Sequence, residues 1–123
     1  MRSTYLLLLI TTLVFVSFTA QADEWSGRNL IEEIQVVNGA GYVRMSITNS
    51  ASNPAGCANS TYIDYLLDTE NRSETEQRLI LDAFNMALIM NKPVEFSIDG
   101  DECSTAGTSS TIRIANGFRV HRN

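Results

Sequence analysis

The sequence is poor in the residues on which most enzyme active sites depend. Among 123 residues it contains one histidine, two cysteines and two prolines. The single histidine, His121, stands two residues before the end of the sequence. Chain ends often fray, so a serine or cysteine nucleophile would have no firmly held imidazole base. The sequence also lacks a glycine-rich phosphate loop and a dinucleotide-binding fingerprint. These absences predict a protein that is not an enzyme and uses no cofactor.

Residues that bind metal ions are also scarce. Cys57 and Cys103 have no histidine nearby in the sequence, so they cannot complete a tetrahedral zinc site. The acidic run of Asp99, Asp101 and Glu102 lacks the regular alternation and the distant bidentate glutamate of an EF-hand calcium loop. We therefore predict no metal site and interpret the run as a solvated turn, with a weak calcium site as the alternative.

Positive charge is outnumbered by negative charge. The chain has nine lysine and arginine residues against 14 aspartate and glutamate residues, for a formal net charge of −5. An acidic protein is repelled by phosphate backbones and by anionic lipid. Nucleic acid is therefore not an expected partner.

The longest apolar run is too short to cross a membrane. It covers residues 6–18, whereas a spanning helix needs about 20 apolar residues. Arg2 precedes the run and Ala20-Gln21-Ala22 follows it with the small-x-small form of a signal-peptidase site. The sequence thus predicts a signal peptide at residues 1–22. Residues 23–123 would form a single domain that is secreted or periplasmic and has no membrane span. In an oxidising compartment Cys57 and Cys103 would form a disulfide.

A stretch rich in Ile and Val predicts a strand at residues 30–37, and alternating apolar residues predict strands at 42–48, 61–67 and 94–98. The first two would form a hairpin through Asn38-Gly39-Ala40-Gly41, and Asp99-Gly100-Asp101 would end the fourth strand in a turn. Two further apolar stretches flank Asn116-Gly117 near the end of the sequence. This dipeptide is either the turn of a last hairpin or a bulge inside one long strand.

One helix is predicted from Glu74 to Met90, because Ser73 and Glu76 form a capping box and neither proline nor glycine interrupts the segment. Apolar residues occupy most of its circumference. Such a wide apolar arc fits a helix inserted into the open end of a small barrel. It fits equally well a helix that also packs on another subunit of a homo-oligomer.

The order of these elements predicts an α+β domain that is mostly β. We expect a small OB-like antiparallel barrel or sheet of five or six strands, with the helix between the third and fourth strands. An open sheet with one packed helix is the competing architecture.

Amphipathic aromatic rings are concentrated in or near the first three predicted strands. Rings on a rigid sheet are typical anchors for proteins and for flat sugar faces, so Trp25, Tyr42 and Tyr62 are the predicted ligand-binding residues. The alternative is that individual rings, such as Trp25 and Tyr65, only complete the core. Arg113, Arg119 and Arg122 make the last strands basic, either as an anion-facing strip or as a solvated face.

Two segments resemble a known family. The stretch Asp23-Glu24-Trp25-Ser26-Gly27, and the helix that runs into Asn91-Lys92-Pro93-Val94, are similar to the B subunit of the subtilase cytotoxin family and its small exported relatives. The resemblance implies an OB-like barrel, a ring-shaped homopentamer with its helices facing a central channel, and recognition of sialylated glycans. The sequence departs from the family at Glu32, near the position of a sugar-contacting serine. A carboxylate there would repel an acidic sugar.

We therefore predict an exported, non-enzymatic binding module that recognises a glycan or a protein. The main alternative is an exported inhibitor or accessory protein whose acidic surface meets a basic partner. A third class, a small hydrolase, would require Glu32, Glu33, Asp64 or His121 to converge in one cleft.

Overall fold

A computed structural model describes residues 22–37, 41–49, 52–68, 71–105 and 110–122. It has one helix and six strands, which confirms the α+β class with mostly β structure. The elements in chain order are β1 (Glu24–Trp25), β2 (Ile31–Val37), β3 (Tyr42–Ile47), β4 (Asn59–Leu66), α1 (Glu74–Ile89), β5 (Val94–Ser104) and β6 (Ile112–Val120). The predicted signal peptide lies outside the described residues except for Ala22, as does most of the predicted turn at residues 38–41.

The strands form one mixed sheet in the order β1-β5-β6-β4-β3-β2. Four of the neighbouring pairs are antiparallel, but β4 and β6 are parallel. The prediction of a wholly antiparallel sheet was wrong at this pair. Between β4 and β6 the chain passes through α1 and β5, and β6 then inserts beside β4 in the same direction. Side-chain alternation records which face a residue occupies and carries no information on strand direction.

The N-terminal segment contains the strands at both ends of the sheet, β1 and β2. Its later part, β2, pairs with β3, and its earlier part, β1, pairs with β5. Between them Asn29 and Val94 exchange two backbone hydrogen bonds, of 2.9 and 2.7 Å. The backbone N–H of Ser26 also donates to the carbonyl of Phe96 at 2.8 Å. One continuous segment therefore connects β5 to β3.

The turn predicted at Asp99-Gly100-Asp101 is replaced by irregular strand, and Asn116-Gly117, predicted as either a turn or a bulge, lies inside β6. Asp99-Gly100-Asp101 does not end β5, which continues to Ser104 with a register shift between Ile98 and Cys103. The Gly100 N–H donates to Asp23 Oδ1 at 3.1 Å, so the N-terminal segment holds this part of β5 in place. In β6, Ala115 pairs with Ile98 and Gly117 with Ser97, which leaves Asn116 as the extra residue of a bulge. Of the two alternatives at Asn116-Gly117, the bulge is confirmed.

The core lies between one face of the sheet and α1. In β3, Val43, Met45 and Ile47 belong to the hydrophobic core as the alternation predicts, although Arg44 and Ser46 between them are buried as well. The helix contributes Phe84 and Ala87, and the Phe84 ring packs 5.1 Å from the Tyr65 ring, centroid to centroid. The predicted cap is present, because the Ser73 side chain accepts a hydrogen bond from the Glu76 N–H. The helix ends at Ile89, one residue before the predicted end, and Met90 is its C-cap.

The predicted disulfide between Cys57 and Cys103 is confirmed, with the two Cα atoms 5.7 Å apart. It attaches the connection between β3 and β4 to the end of β5. Beneath this connection Arg113 is buried, and its guanidinium donates to the carbonyls of Ser52 and Ser60 at 3.1 and 2.8 Å. Within the described ranges no helix is long and apolar enough to cross a membrane.

Candidate binding site

Trp25 presents its ring at the surface of the sheet. The side chain lies on β1, opposite Ser97 of β5, and remains 46% exposed. The guanidinium carbon of Arg119, from β6, lies 3.9 Å from the centroid of the indole ring. At this distance the cation and the ring attract each other. Trp25 is therefore an exposed ring held in one orientation, and the alternative that it completes the core is not supported.

Arg119 is in turn held by Glu95. The two residues are direct partners across β5 and β6, and the Arg119 Nε donates to Glu95 Oε2 at 2.7 Å. This hydrogen bond from Arg119 lowers the pKa of Glu95, against the smaller opposing effect of burial. The positive charge of Arg119 and the contact with His121 lower it further. The carboxylate therefore stays ionised beside Arg119, and we call Trp25, Arg119, Glu95 and His121 the Trp25 surface.

His121 is better ordered than its position in the sequence suggests. Its backbone N–H donates to the carbonyl of Pro93 at 2.8 Å, and its Nε2 lies 3.5 Å from Glu95 Oε1. The side chain is largely buried. The expectation that His121 frays was wrong, because the end of β6 is fixed to the beginning of β5. Its imidazole contacts a carboxylate, and neither a serine nor a cysteine is among its hydrogen-bond or ion-pair partners in the described part of the chain.

The two predicted tyrosines lie elsewhere on the sheet. Tyr42 begins β3 opposite Leu66, and Tyr62 lies on β4 opposite Ser46. Both are half-buried. Strands β5 and β6 stand between the strand of Trp25 and that of Tyr62, so the tyrosines belong to a different part of the surface. Tyr65 is a core residue, as one of the two alternatives predicted.

A buried ion pair lies between Tyr42 and Tyr62. The Arg44 Nε and a terminal nitrogen donate to the two carboxylate oxygens of Asp64 at 2.7 and 2.8 Å. The hydrogen bond to Asp64 raises the pKa of Arg44, although burial opposes this shift. Because both oxygens of Asp64 are engaged, this carboxylate is a structural group that ties β3 to β4.

The residues that a hydrolase would need to bring into one cleft each have different contacts. Glu32 and Glu33 are exposed on β2, Asp64 pairs with Arg44, and His121 contacts Glu95. The contacts of these side chains therefore give no support to a shared acid and base pair.

The acidic run at the bend of β5 is engaged in local hydrogen bonds. Asp99 Oδ1 accepts the backbone N–H groups of Asp101 and Glu102, and its Oδ2 accepts the Asn116 amide at 3.1 Å. Burial alone would raise the pKa of Asp99, but these three hydrogen bonds together lower it. Among the described residues no group of three potential metal ligands is found. The weak-calcium alternative thus gains no support from this geometry.

Sequence analysis found Trp25 but missed the partners that orient it. Glu95 lies on β5, Arg119 on β6 and His121 directly after β6, whereas Trp25 lies on β1, which has only two residues. The sequence feature that could have indicated these partners is the group of arginines near the end of the sequence, Arg113, Arg119 and Arg122. The structure divides that group: Arg113 is buried, Arg119 covers Trp25, and Arg122 is exposed near the end of α1. A continuous anion-facing strip is therefore not formed.

Comparisons of the chain with protein-family models, with curated proteins and with solved structures find no match. The resemblance to the subtilase cytotoxin B subunits stays a prediction from the sequence. The ligand class is inferred below from the contacts of Trp25, Arg119 and Glu95.

Proposed function

We propose that the protein is an exported, non-enzymatic module that binds a glycan on the Trp25 surface. The observation that carries the proposal is the exposed Trp25 ring, which is in contact with Arg119 and, through it, is linked to Glu95. Export is supported by the disulfide and by the signal-like composition of residues 1–22.

The proposed architecture is an OB-like barrel. The five longer strands follow the order β2-β3-β4-β6-β5, and the N-terminal segment links β5 back to the other end. Phe84 of α1 enters the enclosed core. A small five-stranded barrel with one capping helix accounts for this arrangement. Such barrels carry many activities, so the function is argued from the Trp25 surface alone.

A sugar ring matches the chemistry of this surface. The apolar C–H face of a pyranose can stack on the exposed part of the indole, as flat apolar groups do on aromatic rings. The Glu95 carboxylate accepts hydrogen bonds from hydroxyl groups, and the Arg119 guanidinium donates them. Because Arg119 is already oriented by two partners, little side-chain freedom would be lost on binding.

The test is a glycan array followed by titration of the best glycan. Trp25 is the only tryptophan, so in the parent protein its fluorescence reports on binding at this surface, and calorimetry measures the affinity of the Trp25→Ala variant, which has no tryptophan. We expect Trp25→Ala to weaken binding by about thirtyfold, equivalent to about 2 kcal/mol for a central anchor. Leu30→Ala is the matched control, because Leu30 is also an exposed apolar residue of the N-terminal segment. Unchanged affinity in Trp25→Ala, or no glycan bound above background, would refute the proposal.

The acidic surface favours a second candidate, an inhibitor or accessory protein for a basic partner. Glu32 and Glu33 on β2 and Glu74 and Glu76 on α1 are all exposed, in a chain of net charge −5. Binding steered by this charge should weaken steeply with added salt, whereas stacking of a neutral sugar should not. Self-association through α1 also stays a prediction, which light scattering after size exclusion tests.

A further inference from the structure

A cavity of about 330 Å³ lies between the second half of α1 and the end of β6. Its floor is apolar and is formed by Ala83, Met86, Ala87, Met90 and Val120. The volume is at the lower end of the range of small-molecule sites, about 300–1,000 Å³. Met86 and Met90 are 60% and 53% exposed, so apolar surface is left open to solvent here. Flexible methionine side chains adapt to apolar ligands of varied shape.

The rim of the same cavity carries positive charge. Lys92, His121 and Arg122 line it. Within the described part of the chain neither Lys92 nor Arg122 forms an ion pair, whereas the chain as a whole has a net charge of −5. Two acidic side chains are close: Glu95 contacts His121, and Asp82 lines a neighbouring cavity that shares Met86 and Met90. Lys92 and Arg122 are therefore the two rim cations available to a ligand.

We propose that this cavity binds an amphipathic anion, namely a medium-length alkyl chain that ends in a carboxylate. The alkyl chain would lie on the methionine and alanine floor, where each methylene leaves water. The carboxylate would lie between Lys92 and Arg122 and accept charge-assisted hydrogen bonds from them. Charge complementarity selects this occupant, because the only unpaired charges on the described rim are positive. A neutral or cationic amphiphile would leave both of them without a partner.

The experiment titrates the purified, disulfide-bonded protein with octanoate, hexanoate and octylammonium, using calorimetry and two-dimensional NMR. Each buried methylene is worth about 0.8 kcal/mol, or about a fourfold gain in affinity. We expect octanoate to bind about fifteenfold more tightly than hexanoate, since two methylenes are added. Octylammonium should bind at least tenfold more weakly than octanoate. The largest shifts should fall on Met86, Met90 and Lys92.

Two pairs of variants locate the site. Lys92→Gln with Arg122→Gln should weaken octanoate binding at least tenfold. The control Arg28→Gln with Arg78→Gln removes the same charge from exposed positions outside the cavity and should leave affinity unchanged. Met86→Glu should abolish binding, whereas Leu79→Glu, 63% exposed on the same helix but outside the cavity, should not. All of these side chains except that of Lys92, which is half-buried, are exposed, so the fold should tolerate the changes.

Three results would overturn the proposal. The first is equal affinity for octanoate and octylammonium, which would indicate non-specific apolar adsorption. The second is equal loss of binding in the two charge pairs, which would indicate an effect of net charge. The third is a stable oligomer that Met86→Glu dissociates and that octanoate does not enter, because a second copy of the chain would then cover the cavity. None of these outcomes bears on glycan binding at Trp25.

Discussion

Arg44 and Asp64 form a two-point ion pair between β3 and β4, and no part of the Asp64 side chain is exposed. A buried guanidinium is costly without its carboxylate, because it has been removed from water and then left without its counter-charge.

We therefore expect Asp64→Ala to lower the free energy of unfolding by about 3–5 kcal/mol. The control is Asp64→Leu combined with Arg44→Met, which removes both charges and should cost less than the single substitution. Urea unfolding followed by circular dichroism measures both. A loss below about 1 kcal/mol for Asp64→Ala would show that Arg44 does not depend on this carboxylate.

Stability should fall in acid partly because of Glu95. Its pKa in the folded protein is lowered by the hydrogen bond from Arg119, below the ordinary glutamate value of about 4.3. The unfolded chain therefore takes up the proton first as the pH falls. The stabilising contribution of Glu95 is complete above about pH 4.3 and is lost as the pH falls through the folded pKa.

The variant Glu95→Gln should accordingly lose less stability between pH 5 and pH 3 than the parent protein. Asp99 also has a lowered pKa, so Asp99→Asn combined with Glu95→Gln should flatten the profile further. Thermal unfolding across this range gives the slopes. Identical slopes in Glu95→Gln and the parent would contradict the pairing with Arg119.

Gly41 should resist substitution more strongly than other glycines of similar backbone conformation. Its φ is +72°, and an added Cβ would lie 3.0 Å from the Cβ of Asp68, an atom that cannot swing away. Gly56 has φ +69° with no atom within 4 Å of its Cβ position. Gly56→Ala should cost about 1–2 kcal/mol for the left-handed backbone alone.

Gly41→Ala should cost more, because the Asp68 backbone must also move. That backbone donates to the Gly41 carbonyl, so the contact between the start of β3 and the segment that follows β4 would be strained as well. The difference between the two alanine variants in chemical unfolding isolates the contact with Asp68. Equal losses would mean that the contact relaxes without cost.

The disulfide should supply a large part of the stability. Cys57 and Cys103 are separated by 46 positions, and closing a loop of that length corresponds to about 4 kcal/mol in the chain-entropy model. Replacing both cysteines by alanine should lower the free energy of unfolding by about that amount, against about 5–15 kcal/mol for a typical domain. Adding a reductant to the parent protein should have the same effect, and the double variant should be insensitive to it.

The local elements were predictable because local chemistry determines them. Ser73 and Glu76 indicated the start of the helix, and the alternation in β3 indicated which of its residues join the hydrophobic core. Strand pairing was harder to predict from the sequence. The parallel β4–β6 pair, the two-residue β1 and the continuation of β5 past Gly100 all depend on partners that are far away in sequence.

The Trp25 surface, like the fold, could be predicted from the sequence only where local residues determine it. An exposed aromatic residue near a predicted strand can be found from sequence, but its orientation cannot. Arg119 on β6 reaches Trp25 on β1 across β5, where it also meets Glu95, and this depends on the order of the three strands in the sheet. The cavity beside α1 had a sequence signal in the wide apolar arc of the helix, although the cations of its rim come from outside the helix.

The bridge between Asn29 and Val94 also constrains the order of folding. During synthesis the N-terminal segment emerges first, whereas its partner β5 emerges only after three strands and the helix. Until then β1 and Asn29 have no strand partner, because they pair with β5. Pairings so distant in sequence form slowly. The interval between emergence and closure is thus the period in which the nascent chain is most exposed to aggregation and to proteases.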